Sequence, residues 1–282
     1  MPRPHPSALV CTLTAALMFS LATSRVVEAQ PLRDAPMRSF ALNGIDMAYR
    51  ELGTGDPLVL LHGFGSCAEE AWAPFVDSLA TRYRLILPDL RGHGRSTNPS
   101  DQFSHRQSAA DVLALLDSLG IARFKAVGIS AGGMTLLHAA VRAPARIERL
   151  VIVGVGTAMP DETRAWVRET KLAALPPEVA AGFRGCAARG ETQAAALAAQ
   201  FGRFADAPGA DVFAPRDLSG IGAPVLLVQG DRDIFFPVEQ TLALYRSLPN
   251  AQLWVIPGGE HVPVYDPMVP FVTRTLTFLS AR

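Results

Sequence analysis

The chain reads Lys125-Ala126-Val127-Gly128-Ile129-Ser130-Ala131-Gly132-Gly133 at the point that decides its fold. The apolar residues up to Val127 predict a buried strand, and residues 134–141 predict a helix. A serine with a glycine two positions away on either side, at a strand-to-helix turn, is the pattern of a nucleophile elbow. The glycines permit a very tight turn, and the free N–H groups at the helix start favour an anion beside the serine. We therefore interpret Ser130 as a nucleophile.

The composition fits one well-packed domain. The chain has 282 residues, of which 49% are hydrophobic, and its 26 Lys and Arg residues balance 26 Asp and Glu residues. A chain of this length can bury a large core. Because there is no basic excess, we expect no nucleic-acid partner. We expect a small-molecule substrate and a monomer or homodimer.

The first 29 residues have the pattern of a secretory signal peptide. Arg3 gives a positive start, residues 8–22 are mostly apolar, and Val27-Glu28-Ala29 places small residues at the positions that a signal peptidase reads. The apolar run is short for a transmembrane helix. We expect export to the periplasm or beyond and a mature protein without a membrane span. An uncleaved membrane anchor is the alternative.

Strands and helices alternate along most of the remaining chain. Short apolar runs alternate with helical segments over residues 30–156 and again over residues 217–282. This order predicts an α/β core, in which a mainly parallel sheet is covered by helices on both faces. Residues 157–216 are rich in alanine and broken by proline and glycine, without a clear strand. We interpret that segment as a helical cap inserted into the core.

An unassisted serine hydroxyl is a weak nucleophile and needs a base that is itself held by an acid. His261 lies in a loop rich in glycine and proline after the last predicted strand, and it is the preferred base. Two aspartates, Asp231 and Asp233, follow the preceding strand. Either one gives the chain order serine, aspartate, histidine, so the residues alone leave both open.

Attack on a carbonyl also requires fixed N–H donors for the oxyanion. The backbone N–H of Ala131, directly after the candidate nucleophile, is one such donor. The loop His62-Gly63-Phe64-Gly65 follows a buried strand, and its glycines let the backbone turn an N–H inward. We choose the N–H of Phe64 as the second donor.

Taken together, these motifs resemble the α/β-hydrolase superfamily, in its capped serine-hydrolase branch of esterases, enol-lactone hydrolases, carbon–carbon bond hydrolases and perhydrolases. The resemblance extends from Phe40 to Leu279. It rests on four motifs in order: His62 to Gly65, Asp89-x-Arg91-Gly92-x-Gly94-x-Ser96, Gly128 to Gly132, and the loops that carry Asp233 and His261.

The resemblance implies an eight-stranded, mostly parallel sheet, a helical cap after strand six, and no cofactor or metal. In such families the acid often stands four residues before a proline, as Asp233 does before Pro237, which favours Asp233 over Asp231. The resemblance also implies that three polar residues shape a loop and are not catalysts: Asp89, Arg91 and Ser96.

The implied activity is hydrolysis of a carboxylic ester, thioester or lactone through an acyl-enzyme on Ser130, with His261 as base and Asp233 as the acid that orients it. Carbon–carbon bond hydrolysis or cofactor-free perhydrolysis is the closest alternative. Acyl transfer and a non-catalytic binding role are further ones. We expect aromatic side chains of the cap to line an apolar acyl pocket, with the cap's own core as the alternative for each: Trp166, Phe183, Phe201, Phe204 and Phe213.

Two cysteines, Cys67 and Cys186, remain after the signal segment. Export would permit a disulfide, which would tie the cap to the core. Cysteines so far apart in sequence are also often buried thiols, and we expect two thiols.

Overall fold

The computed structural model describes residues 32–175, 177–206 and 213–281, apart from the side chain of residue 178. The predicted signal peptide, residues 1–29, lies outside the described residues. So do residue 176 and residues 207–212 of the predicted cap.

The described chain contains one sheet of eight strands in the order β1-β2-β4-β3-β5-β6-β7-β8. The pairs β1–β2 and β2–β4 are antiparallel, and all other neighbours are parallel. The prediction of a mostly parallel eight-stranded sheet is therefore confirmed. The strands are β1 Arg38–Leu42, β2 Ile45–Leu52, β3 Asp56–Leu61, β4 Tyr83–Pro88, β5 Phe124–Ile129, β6 Ile147–Val153, β7 Val225–Gly230 and β8 Ala251–Ile256.

Helices cover both faces of this sheet. Side chains alternate across a strand, so Val59 and Leu61 of β3 pack in one apolar cluster while Leu58 and Leu60 pack in the other. The helices are α1 Ala68–Trp72, α2 Val76–Ala80, α3 His105–Ser118, α4 Ala131–Arg142, α5 Asp161–Arg168, α6 Pro177–Gly185, α7 Glu191–Arg203, α8 Pro215–Leu218, α9 Val238–Ser247 and α10 Phe271–Ser280. Residues of α3, α4, α8 and α9 belong to the first cluster, and residues of α1, α2 and α10 to the second.

The segment between β6 and β7 contains α5 to α8 and, in its described residues, no strand. Its helix α7 is fastened to the loop that follows β4. Gln193 Nε2 donates to the carbonyl oxygens of Gly92 and Gly94 at 2.8 and 2.9 Å, and Arg203 Nη2 donates to the carbonyl oxygen of Asp101 at 2.7 Å. The insertion is thus held against the core by buried and surface hydrogen bonds.

A disulfide also joins the insertion to the core. Cys67, just before α1, is bonded to Cys186, just after α6, with their Cα atoms 5.5 Å apart. The expectation of two buried thiols is wrong. The tertiary packing of α6 over the loop after β3 brings together two residues that are 119 positions apart, and no local sequence signal marks that packing.

Reduction of this disulfide should lower the free energy of unfolding by about 2–4 kcal/mol, because the bond closes a long loop in the unfolded chain. Denaturant unfolding of the oxidised and reduced protein measures the difference. A Cys67→Ser/Cys186→Ser variant should be insensitive to reductant. Equal numbers of free thiols before and after reduction of the unfolded protein would show that the bond does not form.

Candidate active site

Ser130 occupies a strained turn between β5 and α4. Its φ of 50° and ψ of −115° lie in a region that non-glycine residues seldom adopt. The turn is held by two backbone hydrogen bonds: Ser130 N–H donates to Val153 O at 2.8 Å, and Met134 N–H donates to Ser130 O at 2.9 Å. This backbone presents the hydroxyl at the carboxyl end of the sheet.

The two glycines around Ser130 are required by close backbone packing. A Cβ at Gly132 would lie 2.3 Å from Leu61 O, and a Cβ at Gly128 would lie 2.7 Å from the backbone of Gly132 and Gly133. Neither contact can be relieved by moving a side chain, because the opposing atoms belong to the backbone. The glycine spacing that marked the motif in the sequence therefore has a steric cause.

His261 reaches the serine from the loop after β8. Its Nε2 lies 2.9 Å from Ser130 Oγ, and its Nδ1 lies 2.8 Å from Asp233 Oδ2. An ionised carboxylate only accepts hydrogen bonds, so Nδ1 carries the proton and Nε2 is free to accept the serine proton. Gly154 makes room for the ring, since a Cβ there would lie 3.2 Å from His261 Cε1 and Nδ1.

Asp233 is held as an ionised, fully buried carboxylate. Its Oδ1 accepts the backbone N–H groups of Phe235 and Phe236 at 2.7 and 3.0 Å, and its Oδ2 accepts Gln229 Nε2 at 2.9 Å. Burial by itself raises the pKa of Asp233. The hydrogen bond and charge of His261, together with the Phe236 and Gln229 hydrogen bonds, outweigh burial, and the pKa is lowered.

Asp231, the other candidate acid, accepts a hydrogen bond from a neighbouring loop and does not reach the histidine. Its Oδ1 accepts the backbone N–H of Gly258 at 2.7 Å and lies 3.9 Å from Arg232 Nε. Of the two aspartates, the structure brings Asp233 to the histidine.

Both expected oxyanion donors lie beside the nucleophile. Ala131 is the first residue of α4, so its N–H has no partner within the helix. Phe64 follows Gly63, where a Cβ would lie 3.7 Å from Ser130 Cβ. Residues Phe64 and Ala131 both line the cavity next to Ser130. Their action as oxyanion donors stays a prediction.

Two other histidines near the candidate active site, His62 and His93, have structural roles. His62 is fully buried; its Nδ1 lies 2.7 Å from Gly63 O, and its Nε2 accepts the Leu90 N–H at 2.9 Å. Burial lowers the pKa of His93 to about 3, with the neighbouring His62 as a further cause. Burial lowers the pKa of His62 as well, so both rings are neutral and fully buried.

A cavity of about 520 Å³ opens at Ser130 and His261. Of the five cap aromatics expected to line it, three do: Phe183, Phe201 and Phe204. The ring of Phe64 contacts all three, with centroid distances of 6.5, 5.5 and 5.0 Å. The Phe64 side chain thus joins the loop after β3 to the inserted helices.

The expectation that Trp166 and Phe213 line the cavity is wrong. Helix α5 buries Val167 completely, and the preceding residue points about 100° away around the helix. Trp166 is therefore half exposed and contacts Phe235, with ring centroids 5.5 Å apart, from outside the cavity. Phe213 packs on His138 of α4 at 4.5 Å, inside one of the two sheet-flanking clusters.

Comparisons with known proteins agree with this fold. A family model described as alpha/beta hydrolase fold matches residues 56–189. The chain is 30% identical to a putative carbamate hydrolase RutD of Caulobacter sp. (strain K31), over 84% of this chain and 97% of the relative. It is 32% identical to the 2-hydroxy-6-oxononadienedioate/2-hydroxy-6-oxononatrienedioate hydrolase of Burkholderia vietnamiensis (strain G4 / LMG 22486), over 82% and 90%.

The chain belongs to the α/β-hydrolase family. A solved structure of a hydrolase from Pseudomonas aeruginosa PA01 superimposes with a TM-score of 0.71 at 25% identity, covering 87% of this chain and 98% of that one. The resemblance stated from the sequence is thereby confirmed at the level of family and fold. In the described part of the chain, no helix has the length and apolar character needed to cross a membrane.

Sequence reasoning missed several residues that line the cavity of this α/β hydrolase. The ring of Phe235 lies against His261, with ring centroids 4.6 Å apart, and Phe236 follows it. Their position two and three residues after Asp233 was the available signal, because that loop must reach the histidine. Glu70, Arg164 and Tyr265 also line the cavity, and nothing local in the sequence marks them.

One group of possible metal ligands occurs among the described residues. Donor atoms of Cys67, Glu70 and Cys186 all lie within 4.8 Å of one another. The two sulfurs are joined in the disulfide, and only thiolates bind metals well. In the oxidised protein this group is therefore a disulfide beside a carboxylate.

Proposed function

We propose that this α/β hydrolase cleaves a carboxylic ester, thioester or lactone through an acyl-enzyme on Ser130. The observation that carries the proposal is the continuous chain of hydrogen bonds from Ser130 Oγ through His261 to Asp233, at 2.9 and 2.8 Å, opening on an apolar cavity. A nucleophile, a base and an orienting acid in this relation are the requirement for acyl transfer to serine.

In the proposed mechanism His261 Nε2 takes the hydroxyl proton as Ser130 Oγ attacks the substrate carbonyl. The N–H groups of Phe64 and Ala131 hold the oxyanion. Collapse of the tetrahedral intermediate expels the alcohol, thiol or enol, which receives the proton from His261. Water, activated by the same imidazole, then attacks the acyl-enzyme and releases the acid. Asp233 stays ionised and stabilises the imidazolium.

The cavity favours a small molecule with an apolar portion. Phe183, Phe201, Phe204 and Phe235 contribute to its lining, as does Met134 of α4. Its volume of about 520 Å³ lies within the range of small-molecule sites.

Carbon–carbon bond hydrolysis is the second candidate, and the relative from Burkholderia vietnamiensis, named as a 2-hydroxy-6-oxononadienedioate/2-hydroxy-6-oxononatrienedioate hydrolase, is the observation that favours it. Both candidates use the same three residues, so a substrate comparison separates them. Turnover of vinylogous 1,5-diketo acids in preference to simple esters and lactones would favour the second candidate.

Labelling by a fluorophosphonate probe tests whether Ser130 is activated. We expect the purified protein to be labelled and both Ser130→Ala and His261→Ala to lose the label. Trp166→Ala is a matched control, because Trp166 lies outside the cavity, and it should be labelled like the parent. A folded parent protein that is inert to the probe would contradict the proposal.

We also propose that the protein is exported. The pattern of residues 1–29 supports export, and so does the disulfide Cys67–Cys186, a bond that persists mainly in oxidising compartments. Sequencing of the amino terminus in fractionated cells should find a start near residue 30 outside the cytoplasm. A cytoplasmic protein that retains the segment would contradict export.

A further inference from the structure

Glu70 differs from the other charged groups that line the cavity. Arg164, the cationic side chain in the lining, is paired with Asp161. Glu70 forms no ion pair with any described residue. The adjacent Glu69 forms two ion pairs instead: its Oε1 lies 3.1 Å from Arg33 Nε, and its Oε2 lies 3.2 Å from Arg50 Nη2.

The immediate surroundings of Glu70 do not neutralise its charge. Its Oε2 accepts a hydrogen bond from Ser66 Oγ at 3.3 Å and lies 2.9 Å from Cys186 Sγ. That sulfur is part of the disulfide and has no proton to donate. Glu70 is exposed to solvent at the cavity. The protein atoms around it raise its pKa by partial desolvation, and the Ser66 hydrogen bond opposes the shift without cancelling it. A cation bound beside Glu70 would therefore pair with a carboxylate that has no ionic partner among the described residues.

Aromatic rings lie at the same end of the cavity. The ring of Phe183 packs on Gly65, where a Cβ would lie 2.8 Å from the ring, and Tyr265 donates its hydroxyl to Ala71 O at 3.1 Å. Ala71 is the residue after Glu70 in α1, so this hydrogen bond brings the Tyr265 hydroxyl close to Glu70. Burial and the negative charge of Glu70 both raise the pKa of Tyr265. A carboxylate with aromatic rings nearby is a combination that binds organic ammonium groups.

We propose that Glu70, with Phe183 and Tyr265, forms a subsite for an organic ammonium group, so that the preferred substrate carries a positive charge away from the scissile carbonyl. The statement that the bound molecule is a substrate rests on the proposed function. The subsite itself is a binding site and can be measured without any turnover.

The test compares binding of phenylalkylamines with binding of the matched phenylalkanols, which replace the ammonium with a neutral hydroxyl. Calorimetry on the full protein, with chains of two to four carbons, locates the best spacing. We expect the best amine to bind about tenfold more tightly than its alcohol, as for a charge pair near the protein surface. In Glu70→Gln the amine and alcohol should bind about equally, because the carboxylate charge is gone while the size is kept.

Glu69→Gln is the matched control, since Glu69 is the next residue of α1 and lies outside the cavity lining. It should retain the preference for the amine. Equal binding of amine and alcohol by the parent protein, binding of neither, or a preference that survives in Glu70→Gln would overturn the subsite. A parent protein that the fluorophosphonate does not label, but that prefers the amine in a way that depends on Glu70, would contradict the proposed function and support the subsite.

Discussion

Replacing Ser130 with alanine should lower kcat/KM for the best ester, thioester or lactone by about 10⁴-fold or more, because the nucleophile forms the covalent intermediate. Among the described side chains, the hydroxyl is hydrogen-bonded to His261 alone, at 2.9 Å, so its removal breaks no other side-chain hydrogen bond. We expect the free energy of unfolding to change by less than about 1 kcal/mol. Steady-state kinetics and denaturant unfolding of the same preparations measure the two quantities.

The double variant Ser130→Ala/His261→Ala tests whether the two residues act as one catalytic unit. Residues that act as one catalytic unit show strongly non-additive losses, so the double variant should be no slower than Ser130→Ala. Trp166→Ala should retain kcat/KM within about twofold, as expected for a half-exposed side chain outside the site. Multiplicative losses, or substantial turnover by Ser130→Ala, would show that the reaction does not pass through this serine.

The part of the site that the sequence could predict is the part fixed by strand ends. Ser130, Asp233 and His261 each follow a parallel strand, and the parallel strands of one sheet deliver their following loops to the same edge. Asp231 and Asp233 illustrate the limit of that logic. They lie two residues apart in one loop, and only the tertiary fold sends one to His261 and the other to Gly258.

The part that the sequence could not predict depends on how the insertion packs. The disulfide Cys67–Cys186 follows from α6 lying over the loop after β3. Trp166 and Val167 are adjacent apolar residues of a short helix, and the neighbours of that helix decide which of them is buried. Nothing in the sequence marks Glu70, because its lack of an ionic partner depends on the tertiary fold, which pairs Arg33 and Arg50 with Glu69.

Replacing Asp111 with alanine should lower the free energy of unfolding by about 3–5 kcal/mol, because it leaves a buried guanidinium without its partner. Asp111 is fully buried in α3, and its carboxylate accepts Arg91 Nε and Nη2 at 2.8 and 2.9 Å. It also accepts Asn43 Nδ2 and Gln107 Nε2, both at 3.0 Å. Arg91 is one of the three residues that, by the family resemblance, shape the loop after β4. Denaturant unfolding of the oxidised protein measures the loss.

Asp117→Ala is the matched control, since Asp117 lies on the same helix and pairs with Arg146 at 2.7 Å while remaining largely exposed. An exposed pair contributes at most about 1 kcal/mol. Arg91→Met/Asp111→Leu, which removes both buried charges, should recover much of the loss. The buried pair then sets the conformation of the loop after β4 more than it stabilises the fold. If Asp111→Ala were as mild as Asp117→Ala, water would reach Arg91, and the loop would not be the closed structure that its burial indicates.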